Sequence, residues 1–77
     1  MGLDDIKVGQ NFLLHFPLGH RFLVKLKSNK KEFSLEIIED LDLGWYTPGD
    51  RFSVQRGSKS HKEGKCYTED EYPEYFI

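Results

Sequence analysis

The chain predicts an all-β, mainly antiparallel fold: a small five-stranded SH3-like or OB-like barrel, built on a three-stranded meander and preceded by one short N-terminal helical turn. Three observations carry this expectation. Apolar and polar residues alternate with period two from Arg21 to Glu39 (RFLVKLKSNKKEFSLEIIE), a strand pattern and not a helical one. A second alternating run, Gln10 to Phe16, lies just before it across Pro17-Leu18-Gly19. Turn residues then recur about every eight to twelve positions, the spacing of short antiparallel strands in small β folds.

The long stretch reads as a hairpin. Phe22, Val24 and Leu26 share one face with Phe33, Leu35 and Ile37 across the turn. Pairing Lys27 with Glu32 leaves Ser28 to Lys31 as the loop, at a common hairpin length. Leu26 then faces Phe33, Val24 faces Leu35, and Phe22 faces Ile37. A slip of one residue would turn the apolar row to water, so burial selects the register. Lys27 opposite Glu32, with Lys25 diagonal to Glu32 and Glu36, adds cross-strand pairs of about 0.2–1 kcal/mol each.

The first hairpin places Phe12, Leu14 and Phe16 inward. Bringing them onto the face of Phe22 and Val24 requires an odd loop. A three-residue loop satisfies this, with Pro17 second in a type I turn and Gly19 left-handed at a G1 bulge. Phe16 then pairs with His20, Leu14 with Phe22, and Phe12 with Val24.

Upstream, Gly2 to Val8 suits a single helical turn: Asp4 and Asp5 favour its N-terminus, and Leu3 and Ile6 share a face. Downstream, Thr47-Pro48-Gly49-Asp50 predicts a type II turn. Arg51 to Arg56 predicts a fourth strand with Phe52 and Val54 inward. Gly57 to Lys65 reads as a loop by composition. Cys66 to Glu69 predicts a fifth strand with Tyr67 inward, and Asp70 to Ile77 forms an acidic, aromatic tail.

At 77 residues the chain is expected to form one domain, 1–77, with a small core. Charged residues make up 31% and aromatic ones 14%, a globular composition. The net charge of −2 supplies no global basic field for nucleic acid. The single cysteine, Cys66, excludes an internal disulfide framework and predicts a reduced thiol in the cytoplasm of a cell or an infected host cell. No apolar run approaches a membrane span or a signal-peptide core. Met1-Gly2 opens like a myristoylation signal, but Ile6 stands where Ser or Thr is needed. No membrane partner is expected.

The residue types that carry chemistry are sparse. His15, His20, His61 and Cys66 are the soft-metal ligand types, and their spacing matches no zinc signature. No catalytic set, metal or cofactor is expected, and the chain does not read as an enzyme. Binding features are better represented. Trp45 and Tyr46 lie in an apolar connection with Leu41 and Leu43, and aromatic residues of this kind anchor interfaces. In the tail, Tyr72, Tyr75 and Phe76 suit docking into a partner, with Asp70 and Glu71 giving orientation. Mimicry of a nucleic-acid backbone by the tail carboxylates is a further reading. The tail has a structural alternative too: to fold back over an open barrel end, its carboxylates neutralising the basic segment. Leu13, Leu23 and Ile38 are expected outward, as a patch or under a cover.

Arg56, Lys59, Lys62 and Lys65 form a basic segment able to contact phosphates, with Lys25, Lys27, Lys30 and Lys31 as an extension. The outward positions beside them are Leu23, Ser34 and Glu36, and not the aromatics on which bases stack. The sequence thus points to a non-enzymatic protein-binding module: a small regulatory or inhibitory protein, viral origin included, acting on a larger protein assembly. Nucleic-acid binding by residues 56–65 is the alternative, and a subunit that self-associates through an open strand edge is the third reading.

Overall fold

A computed structural model describes residues 1–76; Ile77, the expected end of the tail, lies outside them. A 3-10 turn at Leu3–Asp5 leads into β1 (Asn11–His15), β2 (Arg21–Ser28), β3 (Glu32–Asp40) and β4 (Arg51–Gln55). A short helix, α1 (Lys59–Glu63), precedes β5 (Lys65–Tyr67), and a second 3-10 turn spans Pro73–Tyr75. All ladders are antiparallel, in the spatial order β4-β3-β2-β1-β5. The sheet is open, with β4 and β5 as its edges, so the expected barrel is not closed. At three residues β5 offers little ladder to a sixth neighbour, and the chain between the two edges is folded into α1. No helix among the described residues is long and apolar enough to cross a membrane.

The first hairpin has the expected register: Leu14 pairs with Phe22 and Phe12 with Val24. Gly19 adopts φ +93°, a conformation that costs glycine little. The Phe16 N–H donates to the His20 carbonyl at 3.0 Å. The Thr47 to Asp50 turn is also present, closed by the Asp50 N–H on the Thr47 carbonyl at 3.0 Å.

The second hairpin differs from expectation by two residues. Val24 pairs with Ile37 and Leu26 with Leu35. A two-residue slip leaves every side chain on its own face, so alternation alone does not oppose it. Phe33, freed from Leu26, pairs with Val54 of β4. Lys27 and Ile38 become extra residues where the register shifts, one in each strand. Such bulges bend a strand and re-aim the residues beyond them. The expected Lys27–Glu32 pair is replaced: Lys27 Nζ lies 3.6 Å from Glu36, and Glu32 accepts from Gln55.

The inner face holds the core, in which Phe12, Leu14, Val24, Leu26, Leu35 and Ile37 pack with Leu3 and Ile6 of the N-terminal turn. Cys66 belongs there as well, paired with Leu14, while Tyr67 pairs with Leu13 on the outer face. The expectation of Tyr67 inward is therefore reversed; a three-residue strand shows no parity until its partner is known. Residues 57–65 are not simply a loop either. Ser58 Oγ accepts the His61 N–H at 3.2 Å and caps α1. The end of α1 lies close to the sheet: a Cβ on its C-cap, Gly64, would lie 3.4 Å from Leu14 and 3.5 Å from Phe16, and 2.8 Å from the Ser60 carbonyl of α1 itself. Leu13 and Leu23 are only 3% and 4% exposed and stand outside the main core cluster, so the outer face is covered too. Ile38 remains exposed at its bulge.

Burial pushes the Cys66 thiol up to about 12, leaving little reactive thiolate at neutral pH. Labelling by a disulfide reagent is expected to be at least about a hundredfold slower in native buffer than in denaturant. Equal rates would place Cys66 at the surface and Tyr67 inward.

Candidate functional site

The start of β2 and the end of β3 meet at one polar centre. The bulge at Ile38 brings Asp40 opposite Phe22, hence onto the inner side with His20 instead of the outer side that unbroken alternation would give. The Asp40 side chain is 1% exposed. Its Oδ1 lies 2.9 Å from His20 Nε2 and accepts the N–H groups of Asp42 and Leu43 at 3.3 and 3.2 Å. Its Oδ2 accepts those of Trp45 and Tyr46 at 3.0 and 3.2 Å. Burial opposes ionisation of Asp40, but His20 and the backbone N–H groups of Leu43, Tyr46 and Asp42 prevail and hold its carboxyl well below the usual range. Stabilisation of the charged form by several N–H donors is the physical cause.

This carboxylate shapes the connection between β3 and β4 and sets its two aromatic residues. The Trp45 ring stands edge-on to His20 at 5.7 Å, and Tyr46 packs on Phe22 at 5.6 Å. Phe22 also meets Phe52 at 5.5 Å and Phe16 at 6.1 Å. Phe16, His20, Phe22, Trp45, Tyr46 and Phe52 thereby line a cleft of about 260 Å3, together with Ser53, Val54 and Ser60. An adjoining groove of about 390 Å3 shares Phe16, His20 and Ser60 and extends past Pro17 and Leu18 to Lys59 and Glu63. Trp45 forms the rim and is 74% exposed.

The residues expected to act together in protein binding fall into two groups. Trp45 and Tyr46 stand at the inner cleft, whereas Tyr75 is held on the outer face by Arg21. The Arg21 guanidinium donates to the Tyr75 hydroxyl at 3.0 Å and lies 5.9 Å from its ring centroid. The same guanidinium binds Asp42 at 2.9 Å, and its hydrogen bonds hold the Asp42 carboxyl below its usual range. Tyr72 meets Tyr67 edge-on at 5.2 Å, and these tyrosines line one outer concavity with Leu13 and Arg21. Phe76 is half-buried. Glu71 folds onto its own turn, accepting the Thr68 N–H at 3.0 Å. Asp70 is exposed and lies in a shallow depression near Lys25. The tail thus folds back as the structural alternative had it, but over the outer sheet face and not over a barrel end.

The basic segment is also divided. The Arg56 guanidinium lies 4.5 Å from the Phe33 ring centroid, donates to the Asn29 and Lys30 carbonyls, and stands 3.7 Å from Asp4. Asp4 also binds His61 Nε2 at 2.8 Å. The acid beside this segment is therefore the N-terminal turn, with no ion pair to a tail carboxylate among the described residues. Lys59 and Lys62 lie on α1, Lys65 on β5, all exposed and without an ion-pair partner among the described residues. No three His, Cys, Asp or Glu side chains there are grouped to hold a metal ion.

His20, Asp40, Phe16, Phe22 and Phe52 are the site residues that sequence reasoning did not single out. The signal for Asp40 was the adjacent pair Ile37-Ile38, a break in alternation immediately before it. No family model, no curated protein and no solved structure matches the chain.

Two outcomes are expected. Asp40 titrates at lower pH in the folded chain than in the unfolded one. The folded chain thus binds fewer protons, and this stabilisation, complete above the unfolded aspartate value of about 3.9, is lost as pH falls below it. Asp40→Asn should flatten that acid limb in pH-dependent urea melts and lower Trp45 fluorescence anisotropy at neutral pH; an unchanged limb and anisotropy would contradict the anchor. A chain ending at Glu69 should lose roughly 1–3 kcal/mol of stability as the Leu13 side of the outer face is uncovered. An unchanged urea midpoint would show the tail to be free.

Proposed function

We propose that the chain is a non-enzymatic protein-binding module that seats an extended segment of a partner in the Trp45 cleft, as a small regulatory or inhibitory protein on a larger assembly does. One observation carries the reading: a 74% exposed tryptophan on the rim of an aromatic-walled cleft, with its backbone tied to a buried carboxylate. Large aromatics in fixed positions give contact area at low entropic cost, and such residues dominate interface energetics. The cleft borders β4, an edge strand, and an edge strand presents unpaired backbone groups to which an extended segment can add. The tail tyrosines contribute stability to the outer face, and in this reading are not the primary contact.

The nucleic-acid reading keeps one specific support, the exposed lysines Lys59, Lys62 and Lys65. Arg56 is already engaged by Phe33 and Asp4, and the aromatic cleft is walled by other residues. It is the second reading.

Capture from a bead-displayed library of short peptides tests the first. A selected peptide should lose at least about tenfold in affinity with Trp45→Ala, as expected of an interface anchor, and keep its affinity with Lys59→Glu/Lys62→Glu. An empty library, or binding indifferent to Trp45→Ala, would refute it. Salt-sensitive oligonucleotide binding abolished by the double charge reversal would establish the second reading instead.

A further inference from the structure

The cleft also carries information about which side chain enters it. Resting on the peptide-binding reading above, we propose that the Trp45 cleft takes an N-methylated lysine side chain of a protein partner. Phe16, Phe22, Trp45, Tyr46 and Phe52 line the cleft; Phe22, Tyr46 and Phe52 pack on one another at 5.5–6.1 Å, and Trp45 and Tyr46 are the exposed rings at its edge. Aromatic faces carry negative quadrupole charge and attract a cation placed over them. At about 260 Å3 the cleft is below the roughly 300–1,000 Å3 of typical small-molecule pockets and has room for one side chain.

Charge selects the sign of the guest. No lysine or arginine lines the cleft itself. The ionised Asp40 does not line the cleft but lies 2.9 Å from His20, which does, and its other partners are four neutral backbone N–H groups. Among the described residues the adjoining groove is lined by one cation and one anion, Lys59 and Glu63, which form no ion pair. An anion would meet the ring faces and Asp40 unfavourably. A neutral apolar guest would gain contact area but nothing from the charge.

The polar inventory then selects the kind of cation. A primary ammonium has three N–H donors and loses their hydration on entry. The Asp40 side chain is 1% exposed and already holds five donors, so it is not open to accept them. Ser53, Ser60 and His20 are the polar side chains at the wall. A methylated ammonium keeps the charge, removes donors that would be left unpaired, and spreads the cation over methyl groups that pack on the rings.

The test uses the full chain and three peptides, Val-Thr-X-Thr-Val, with β-forming flanks suited to the β4 edge. X is trimethyllysine, unmodified lysine, or the neutral isostere in which carbon replaces the quaternary nitrogen. Binding is followed through Trp45, the only tryptophan, and by calorimetry. The trimethyllysine peptide is expected to bind roughly 2- to 30-fold more tightly than the isostere, the range of cation–π attraction, and more tightly than lysine. Trp45→Ala, assayed by calorimetry, should erase that preference, while Lys62→Glu, away from the cleft, should preserve it. Equal binding of cation and isostere overturns the proposal while leaving peptide binding intact. Equal binding of lysine and trimethyllysine, or binding of neither, overturns it as well, and the library capture separately decides the peptide-binding reading.

Discussion

The arrangement of this molecule depends on one buried carboxylate. Asp40 has little access to water, yet it is kept ionised by His20 and four backbone N–H groups. An ionised group in such a place is tolerable only when nearly all of its acceptor capacity is filled. Here the donors come mostly from the segment that follows it, so satisfying the charge and folding the connection between β3 and β4 are one event. The bulge at Ile38 is what turns Asp40 to the inner side. Without it the carboxylate would face the solvent, and residues 41–46 would lose their common anchor.

From that anchor the two faces of the sheet acquire different roles. On the inner side, His20 and Phe22 receive Trp45 and Tyr46, and an aromatic cleft results beside the β4 edge. On the outer side, Arg21 joins Asp42 to Tyr75 and so connects the same segment to the tail. Three successive residues at the entry to β2, His20, Arg21 and Phe22, therefore fix the cleft wall, the connection and the tail. The tail tyrosines Tyr72 and Tyr75 join Tyr67 and Leu13 in a small second cluster on the outer face.

How much of this was legible follows from the local chemistry. The β1–β2 hairpin could be read to the residue, because Pro17 fixes its own φ and Gly19 alone in the loop readily takes the positive φ that a three-residue loop needs. The β2–β3 register could not, because a two-residue slip preserves both faces and the discriminating contact, Phe33 on Val54, lies on another strand. Cys66 and Tyr67 were exchanged in orientation because three residues give no periodicity. Helix α1 has five residues, too few for a helical repeat, and only the Ser58 cap could have marked it. Trp45 and Tyr46 were legible as interface residues from type alone. Their partners were not, since His20, Phe22 and Asp40 reach them through a bulge.

The most direct measurement is an NMR titration of the Asp40 carboxyl carbon, followed together with the amide protons of Leu43, Trp45 and Tyr46. A carboxyl that stays ionised well below the ordinary aspartate value of about 3.9, with those amides shifting in step as it finally protonates, is the expected result. Titration near the ordinary value, with the amides unmoved, would contradict the anchor on which the cleft rests.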